Sequence, residues 1–466
     1  MIFSSIEFFV FLALVLSALA MLPREGRRRD LLLFASYVFY GWWDWRFCLL
    51  ILGSTVVDYL VGRALGRSRE PNRRRLLLGT SLLANLGVLA FFKYANFFLD
   101  SLRPPFEAAG VEFGSLQVIL PVGISFFTFQ TMSYTIDVYR GRLAAASSFR
   151  DFALFVSFFP QLVAGPIVRG SDFLPQLDRE HPARWSNVVE GAGIFFLGFV
   201  KKVLFADTLA LYVDPVFADP SRWSAMTCWL ALIAYAGQIY YDFSGYSQMA
   251  IGVGRMLGFE LPRNFAHPYR STSITEFWRR WHISLSGWLR DYLYISLGGN
   301  RRGELRTYVN LSITMLLGGL WHGANWTFVV WGGLHGGALA LHKLWMRFVT
   351  PHVPPQLARG LWPLSWVTTF VFVLITWVFF RAPDFSAAWT YLGQLAGGPG
   401  IEWYRVEALT VIAIGALIHV AVVLRDDRDL ELDLRRPEWA AVAVAGAFLV
   451  LYFAPFGVNP FIYFQF

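Results

Sequence analysis

The chain has 466 residues, of which 56% are hydrophobic and 15% charged, with a formal net charge of +8 and a mean hydropathy of +0.47. A soluble protein carries about 25% charged residues, and here the deficit runs from end to end. That excludes a soluble globular enzyme and gives an all-α polytopic membrane protein. The basic residues gather in short loops, which assigns them to topology rather than to nucleic acid. Two cysteines, Cys48 and Cys228, offer no disulfide framework.

In chain order, the first apolar run (6–22) has Glu7 where a signal peptide would carry positive charge, so it is expected to remain as an uncleaved helix. Runs at 31–40 and 49–65 follow, parted at GWWDWR, a hairpin break. Arg24, Arg27, Arg28 and Arg29 form one basic loop. Arg63, Arg67, Arg69, Arg73, Arg74 and Arg75 form another. Placing both in the cytoplasm sets the N-terminus outside. Further runs lie at 76–99, 118–136, 152–168, 188–205, 229–249, 311–320, 328–344, 367–380, 408–424 and 440–452. This pattern predicts roughly ten to twelve helices, several of them shorter than the ~20 residues of a full span. Such short segments suit re-entrant, broken or interfacial helices.

The stretch 238–325 is too polar for ordinary spanning helices and too aromatic for disorder. It reads as structured, membrane-embedded or interfacial chain. The charged stretch 425–438 reads as a solvated loop. The whole is expected to be one integral membrane domain, with N-terminal helices over 1–115, a core over 116–350 and C-terminal helices over 351–466.

The usual soluble-enzyme signatures are missing. There is no G-x-S-x-G elbow, no Walker A loop, no G-x-G-x-x-G and no H-E-x-x-H. Paired cysteine ligands are absent, so a zinc site has no support. No histidine has an aspartate five positions on.

Histidine remains. His181 and His352 sit beside prolines in polar loops and read as solvated, and His267 in NFAHPYRS reads as part of a turn. His419 reads as buried and hydrogen-bonded. His335 and His342, seven apart, share a helix face and read as packing residues. His282 lies in EFWRRWHISLSGWLRDY. If that stretch is helical, Trp281, Leu285, Trp288 and Tyr292 form one stripe beside it, and an amphipathic interfacial helix explains it as well as catalysis does. His322 lies in LWHGANW, where Asn325 would share its face. Gly318, Gly319 and Gly323 allow close backbone approach or leave room for substrates. A packed histidine bonded to a neighbouring helix accounts for this pattern equally. The functional alternative has a clear form. A neutral imidazole takes the proton of an alcohol, the alcohol oxygen attacks a thioester, and Trp and Phe walls keep water out.

Several stretches together resemble the membrane-bound O-acyltransferase (MBOAT) family, in its bacterial alginate O-acetylation branch. They are MIFSSIEFFVFL, PVGISFFTFQTMSYTIDVYRG, SFFPQLVAGPIVR, YYDFSGYSQMAIGVGRMLGFELPRNFAHPY, the segments around His282 and His322, and the ending NPFIYFQF. The resemblance implies helices ringed around a central funnel or tunnel, with His322 as general base. It implies that His282 positions the acyl carbonyl or assists proton transfer. It extends a substrate channel to Trp321, Asn325, Trp278, Arg279, Trp281, Ser284, Asp242, Ser244 and Gln161. It implies acetyl-CoA as donor substrate with no bound cofactor and no metal. It further implies a periplasmic SGNH-type acetyltransferase partner, polysaccharide synthesis and export machinery, and a place in the bacterial inner membrane. Aminoacyl transfer to a cell-wall polymer and a non-enzymatic glycan flippase are the competing readings. The flippase would need polar residues repeated through several helices or an inverted repeat.

Overall fold

The protein was analysed as a computed structural model, which describes residues 1–22, 25–110, 114, 116, 118–162, 165–178, 184–424, 432, 434–453 and 461. Regular structure among these is helical throughout, save one isolated bridge between Trp223 and Ile401. The expected all-α class is what is found. The chain forms two compact units: Met1–Phe195 with Met249–Pro262, and Phe196–Gln248 with Arg263–Phe466.

The first unit holds α1 (Ile6–Met21), α2 (Glu25–Gly41), α3 (Arg46–Arg67), α4 (Pro71–Leu89), α5 (Ala95–Ala108), α6 (Ile124–Tyr139), α7 (Phe149–Ser157), α8 (Phe159–Leu162) and α9 (Gly170–Leu177), and α10 (Trp185–Val200) begins in it. Local chemistry sets several starts. Ser5 caps α1 by accepting from the Phe8 amide at 3.3 Å. Pro71 opens α4, where its missing N–H costs nothing. The hairpin break at 42–45 is confirmed, and Arg69 lies in a loop, but most of the basic residues sit on helix ends: Arg27, Arg28 and Arg29 lie in the first turns of α2, Arg63 and Arg67 in the last turns of α3, and Arg73, Arg74 and Arg75 in the first turns of α4, while Arg24 lies outside the described residues. A charged helix end reads like a loop when only charge and apolar runs are compared. The run 152–168 is broken at Phe158 into the short α7 and α8, as its length led one to expect.

Helices α3, α4 and α6 bury a polar network. The Asp58 carboxylate accepts from Ser81 Oγ at 2.5 Å, Thr135 Oγ1 at 3.1 Å and Asn85 Nδ2 at 2.8 Å. Asn85 Oδ1 in turn accepts from Ser54 at 2.7 Å and Thr131 at 3.1 Å.

The second unit holds α11 (Asp207–Ala218), α12 (Ala225–Met256, which ends in the first unit), α13 (Ile274–Arg280), α14 (Ile283–Trp288), α15 (Glu304–His322), α16 (Trp326–Phe348), α17 (Pro355–Gly360), α18 (Trp362–Arg381), α19 (Phe385–Leu395), α20 (Val406–Leu424) and α21 (Pro437–Phe453). The polar stretch from Gln238 onward turns out to be mostly helix: its first nineteen residues complete the 32-residue α12. Helices α15 and α16 pack on each other, and α16 also packs on α13 and α18. A Cβ on Gly319 would stand 3.1 Å from Gly332 Cα and clash with Phe328 O. The close approach expected of these glycines is therefore real, but it is spent on helix packing. A Cβ on Gly323 would strike the Phe328 ring, so the glycines leave no room for substrate.

By length and composition, three helical stretches among the described residues suffice to cross a membrane: Arg46–Arg67, Pro71–Ala108 and Trp362–Arg381. Shorter apolar helices lie at Ile6–Met21, Val406–Ala421 and Pro437–Val450. The ending NPFIYFQF, apart from Phe461, and most of 425–438 lie outside the described residues.

Candidate active site

The second unit positions His282 by breaking a helix. Ser273 caps α13 through the Glu276 amide at 3.2 Å, and Glu276 reaches back to the Thr272 amide at 3.0 Å. The helix runs only to Arg280, because His282 adopts φ 44° and ψ 55°, left-handed values that a β-carbon disfavours. Such a conformation costs of order 1–3 kcal/mol and persists where its surroundings over-determine it. Two of the freed backbone groups are taken up by one neighbouring segment. Ala266 donates to Arg280 O at 2.9 Å, and Ile283 donates to Asn264 O at 2.9 Å.

The same segment fixes the imidazole. Asn264 Oδ1 lies 2.9 Å from Ser284 Oγ, 3.2 Å from the Ser284 amide and 3.1 Å from His282 Nδ1. A backbone amide only donates, so this atom must be the carbonyl oxygen, and the Asn264 amide nitrogen donates to Ser247 Oγ at 3.2 Å. His282 Nδ1 therefore carries the hydrogen. Its Nε2 is left bare in the neutral ring, and it is a buried atom with no hydrogen-bond partner among the described residues. The residue is wholly buried.

His322 ends α15 and is 3% exposed. Its ring lies 5.1 Å from Trp321, 5.1 Å from Trp331, 5.3 Å from Phe380 and 6.3 Å from the His282 ring, centroid to centroid. Phe243 closes the other side of His282 edge-on at 4.6 Å. Two buried imidazoles thus lie side by side among aromatic rings.

The remaining histidines behave differently. His335 Nδ1 accepts from Trp278 Nε1 at 3.2 Å, so its Nε2 donates to Thr376 Oγ1 at 3.1 Å, and that hydroxyl donates to Val373 O at 2.8 Å. His342 Nδ1 meets Thr275 Oγ1 at 2.8 Å. Both match the packing role expected of them. His352 is exposed, and His267 has φ 49° in its turn. His419 is half-buried rather than buried, and His181 lies outside the described residues.

The structure gathers only part of the expected channel. Trp321, Trp278 and Trp281 are buried, as is Ser244, whose Oγ has no partner among the described residues. Ser284 joins the Asn264 cluster. Asp242 is taken up in an ion pair: Lys202 Nζ lies 2.7 Å from it and 2.7 Å from Asp207, all three buried. Arg279 is exposed and stands apart from the buried cluster. Asn325 does not share a face with His322, because α15 stops at His322. Asn325 instead caps α16 through the Thr327 amide at 3.0 Å and donates to Pro383 O at 2.7 Å. Gln161 belongs to the first unit, where it donates to Phe155 O at 2.7 Å. Trp281, Leu285, Trp288 and Tyr292 are all buried, although the break at His282 leaves Trp281 outside the helix that carries Leu285 and Trp288. Asn264, Trp331 and Phe380 were not singled out from sequence. Among the described residues no group of three or more His, Cys, Asp and Glu is arranged to hold a metal.

A family model of the membrane-bound O-acyltransferases matches residues 140–382, which contain both histidines. The chain is 47% identical to the probable alginate O-acetylase AlgI of Pseudomonas aeruginosa, over 91% of this chain and 81% of that protein. It is 49% identical to the protein of that name from Azotobacter vinelandii, over 91% and 84%. A peptidoglycan O-acetyltransferase of Helicobacter pylori is 39% identical over 80% and 74%. With matches covering most of its length, this chain belongs to the membrane-bound O-acyltransferase family and is a membrane-embedded acyltransferase.

Proposed function

We propose that this chain takes an acetyl group from cytosolic acetyl-CoA and passes it across the bacterial inner membrane for O-acetylation of an extracytoplasmic polysaccharide, alginate-like or another exopolysaccharide. The names of its relatives, alginate O-acetylase and peptidoglycan O-acetyltransferase, support the acetyl group and the polymer class. The observation that carries the chemistry is the buried pair His282 and His322, 6.3 Å apart in an aromatic enclosure.

His322 is the general base. It takes the proton of an acceptor hydroxyl as the new O–C bond forms at the acetyl carbonyl. The C–S bond then breaks, and the leaving thiolate recovers that proton from the imidazolium. The position of His322 at the C-terminal end of α15 favours the positive charge it gains. His282 has its only hydrogen engaged by Asn264, so in this tautomer it cannot donate to a carbonyl oxygen. Of its two expected roles, assistance in proton transfer is the one this arrangement favours. The Trp and Phe walls keep water from hydrolysing the donor. The acetyl group passes on to a periplasmic SGNH-type partner that works with the polymer's synthesis and export machinery.

The test is reconstitution of the purified protein with radiolabelled acetyl-CoA, with and without a candidate partner. Label should reach the partner or polymer with the wild type and fail to do so with His322→Ala. Unchanged transfer by a correctly folded variant sinks the general-base role. Glycan movement without any acyl donor would favour the flippase.

A further inference from the structure

We propose that the first unit binds an anionic phospholipid of the cytoplasmic leaflet, at a site separate from the histidine pair. A cavity of about 440 Å³ lies among α1, α2, α9, the start of α10 and the segment after α12, a size within the range of small-molecule sites. Most of its wall is apolar, including Leu16, Leu32, Val188 and Phe259. Arg28, Arg29 and Arg184 also line it.

The arginines mark one end. Arg28 Nε donates at 2.8 Å to Leu22 O, at the C-terminal cap of α1. Arg29 donates to Leu177 O, the last residue of α9, and pairs with Asp151 at 3.2 Å. Arg184 directly precedes α10 and is exposed. Trp185 beside it is 78% exposed and lines the cavity too, the position an interfacial tryptophan takes. Apolar depth ending in guanidiniums and an indole at helix termini has the profile of one half of a bilayer.

Charge selects the headgroup. Arg150 pairs with both Asp151 and Asp30. Among the described residues Arg184 makes no ion pair, which leaves a positive charge here for a phosphodiester. A zwitterionic headgroup would bring its own cation into that field. Basic pockets between membrane helices on the cytoplasmic side suit anionic headgroups, and the basic start of α2 places this face there. The apolar wall takes an acyl chain, which a free phosphate would leave unused.

The full-length protein in nanodiscs or mild detergent is offered equal amounts of phosphatidylglycerol and phosphatidylcholine, and retained lipid is counted by native mass spectrometry. Wild type should retain several-fold more phosphatidylglycerol. Arg184→Glu should bring the two lipids level, Arg184→Lys should keep the preference, and Ala20→Trp, which fills the cavity, should lower phosphatidylglycerol retention at unchanged Tm. Equal retention by wild type overturns the proposal. So does phosphatidylglycerol retention that neither Arg184→Glu nor Ala20→Trp alters, or its displacement by inorganic phosphate alone.

Discussion

Two buried polar regions of this protein differ in one respect. Around Asp58 each of the six side chains has its partners: Ser81, Thr135 and Asn85 serve the carboxylate, and Ser54 and Thr131 serve Asn85. Around His282 the polar groups are equally buried, yet the imidazole Nε2 has none among the described residues. A buried polar atom without a partner costs about 1–3 kcal/mol. A satisfied network holds helices together, whereas a network that keeps an acceptor bare retains something for a reacting group. His335 is the control within the second unit, since both of its ring nitrogens are engaged.

The widest break in this comparison comes from His322→Ala. Loss of a general base should lower acetyl transfer by about 10²–10⁴-fold, with Tm within a degree or two of wild type. Transfer from labelled acetyl-CoA and a thermal melt on the same preparation measure both. The corresponding change in the other region, Asp58→Ala, should do the reverse. It strands the Ser81 and Asn85 donors, so stability should fall by about 1–3 kcal/mol while turnover per folded molecule stays put. A large turnover loss at unchanged stability for Asp58→Ala would dissolve the distinction.

Asn264 tests the positioning claim and should have the second-largest effect on turnover. Asn264→Ala removes the acceptor that His282 Nδ1 and the Ser284 amide share, freeing the ring to turn or change tautomer. A fall of about 10–100-fold in kcat is expected, the scale seen when a partner orienting a functional histidine is lost, with KM for acetyl-CoA little changed. Asn264→Asp keeps an acceptor oxygen there and should recover most of that loss. If Asp is as poor as Ala, the residue is needed for packing and not for orientation.

Much of this was legible in the sequence. Apolar runs placed nearly every long helix, and an imidazole within such a run stands out because it needs a partner or a use. What stayed hidden is tertiary. The partner of His282 is eighteen residues upstream, in PRNFAHPY, where an asparagine among prolines reads as a turn former. The break at His282 carries no glycine or proline, so a helical period was read straight through it. The glycines beside His322 promised close approach without saying to what, and it was Phe328 and Gly332 rather than substrate. Asn325 looked like a neighbour of His322 because three residues make most of a turn, but the chain left the helix first. The stretch 238–325 looked too polar for ordinary spanning helices because polarity was weighed against lipid, whereas much of its first part, including Asp242, Ser244 and Ser247, is buried inside protein.

The smallest expected effect sharpens the comparison from the side of His335. Thr376→Val removes the hydroxyl that accepts from His335 Nε2 and donates to Val373 O, at nearly constant volume. If His335 is a packing histidine, the cost is one or two hydrogen bonds, about 0.5–1.5 kcal/mol each and nearer the lower figure between membrane helices. The His335 ring would stay clamped by Trp278 through Nδ1 and keep its place against Trp331, whose ring lies 4.7 Å away. Turnover should therefore stay within about twofold of wild type, equivalent to roughly 0.4 kcal/mol in the barrier. Trp331 also touches His322, so a displaced His335 would pass its movement to His322 through that shared ring. A tenfold loss of kcat in Thr376→Val, at a Tm change too small to explain it, would show that Trp331 and His335 carry orientation to His322. The satisfied histidine would then belong with the reactive pair and not with Asp58.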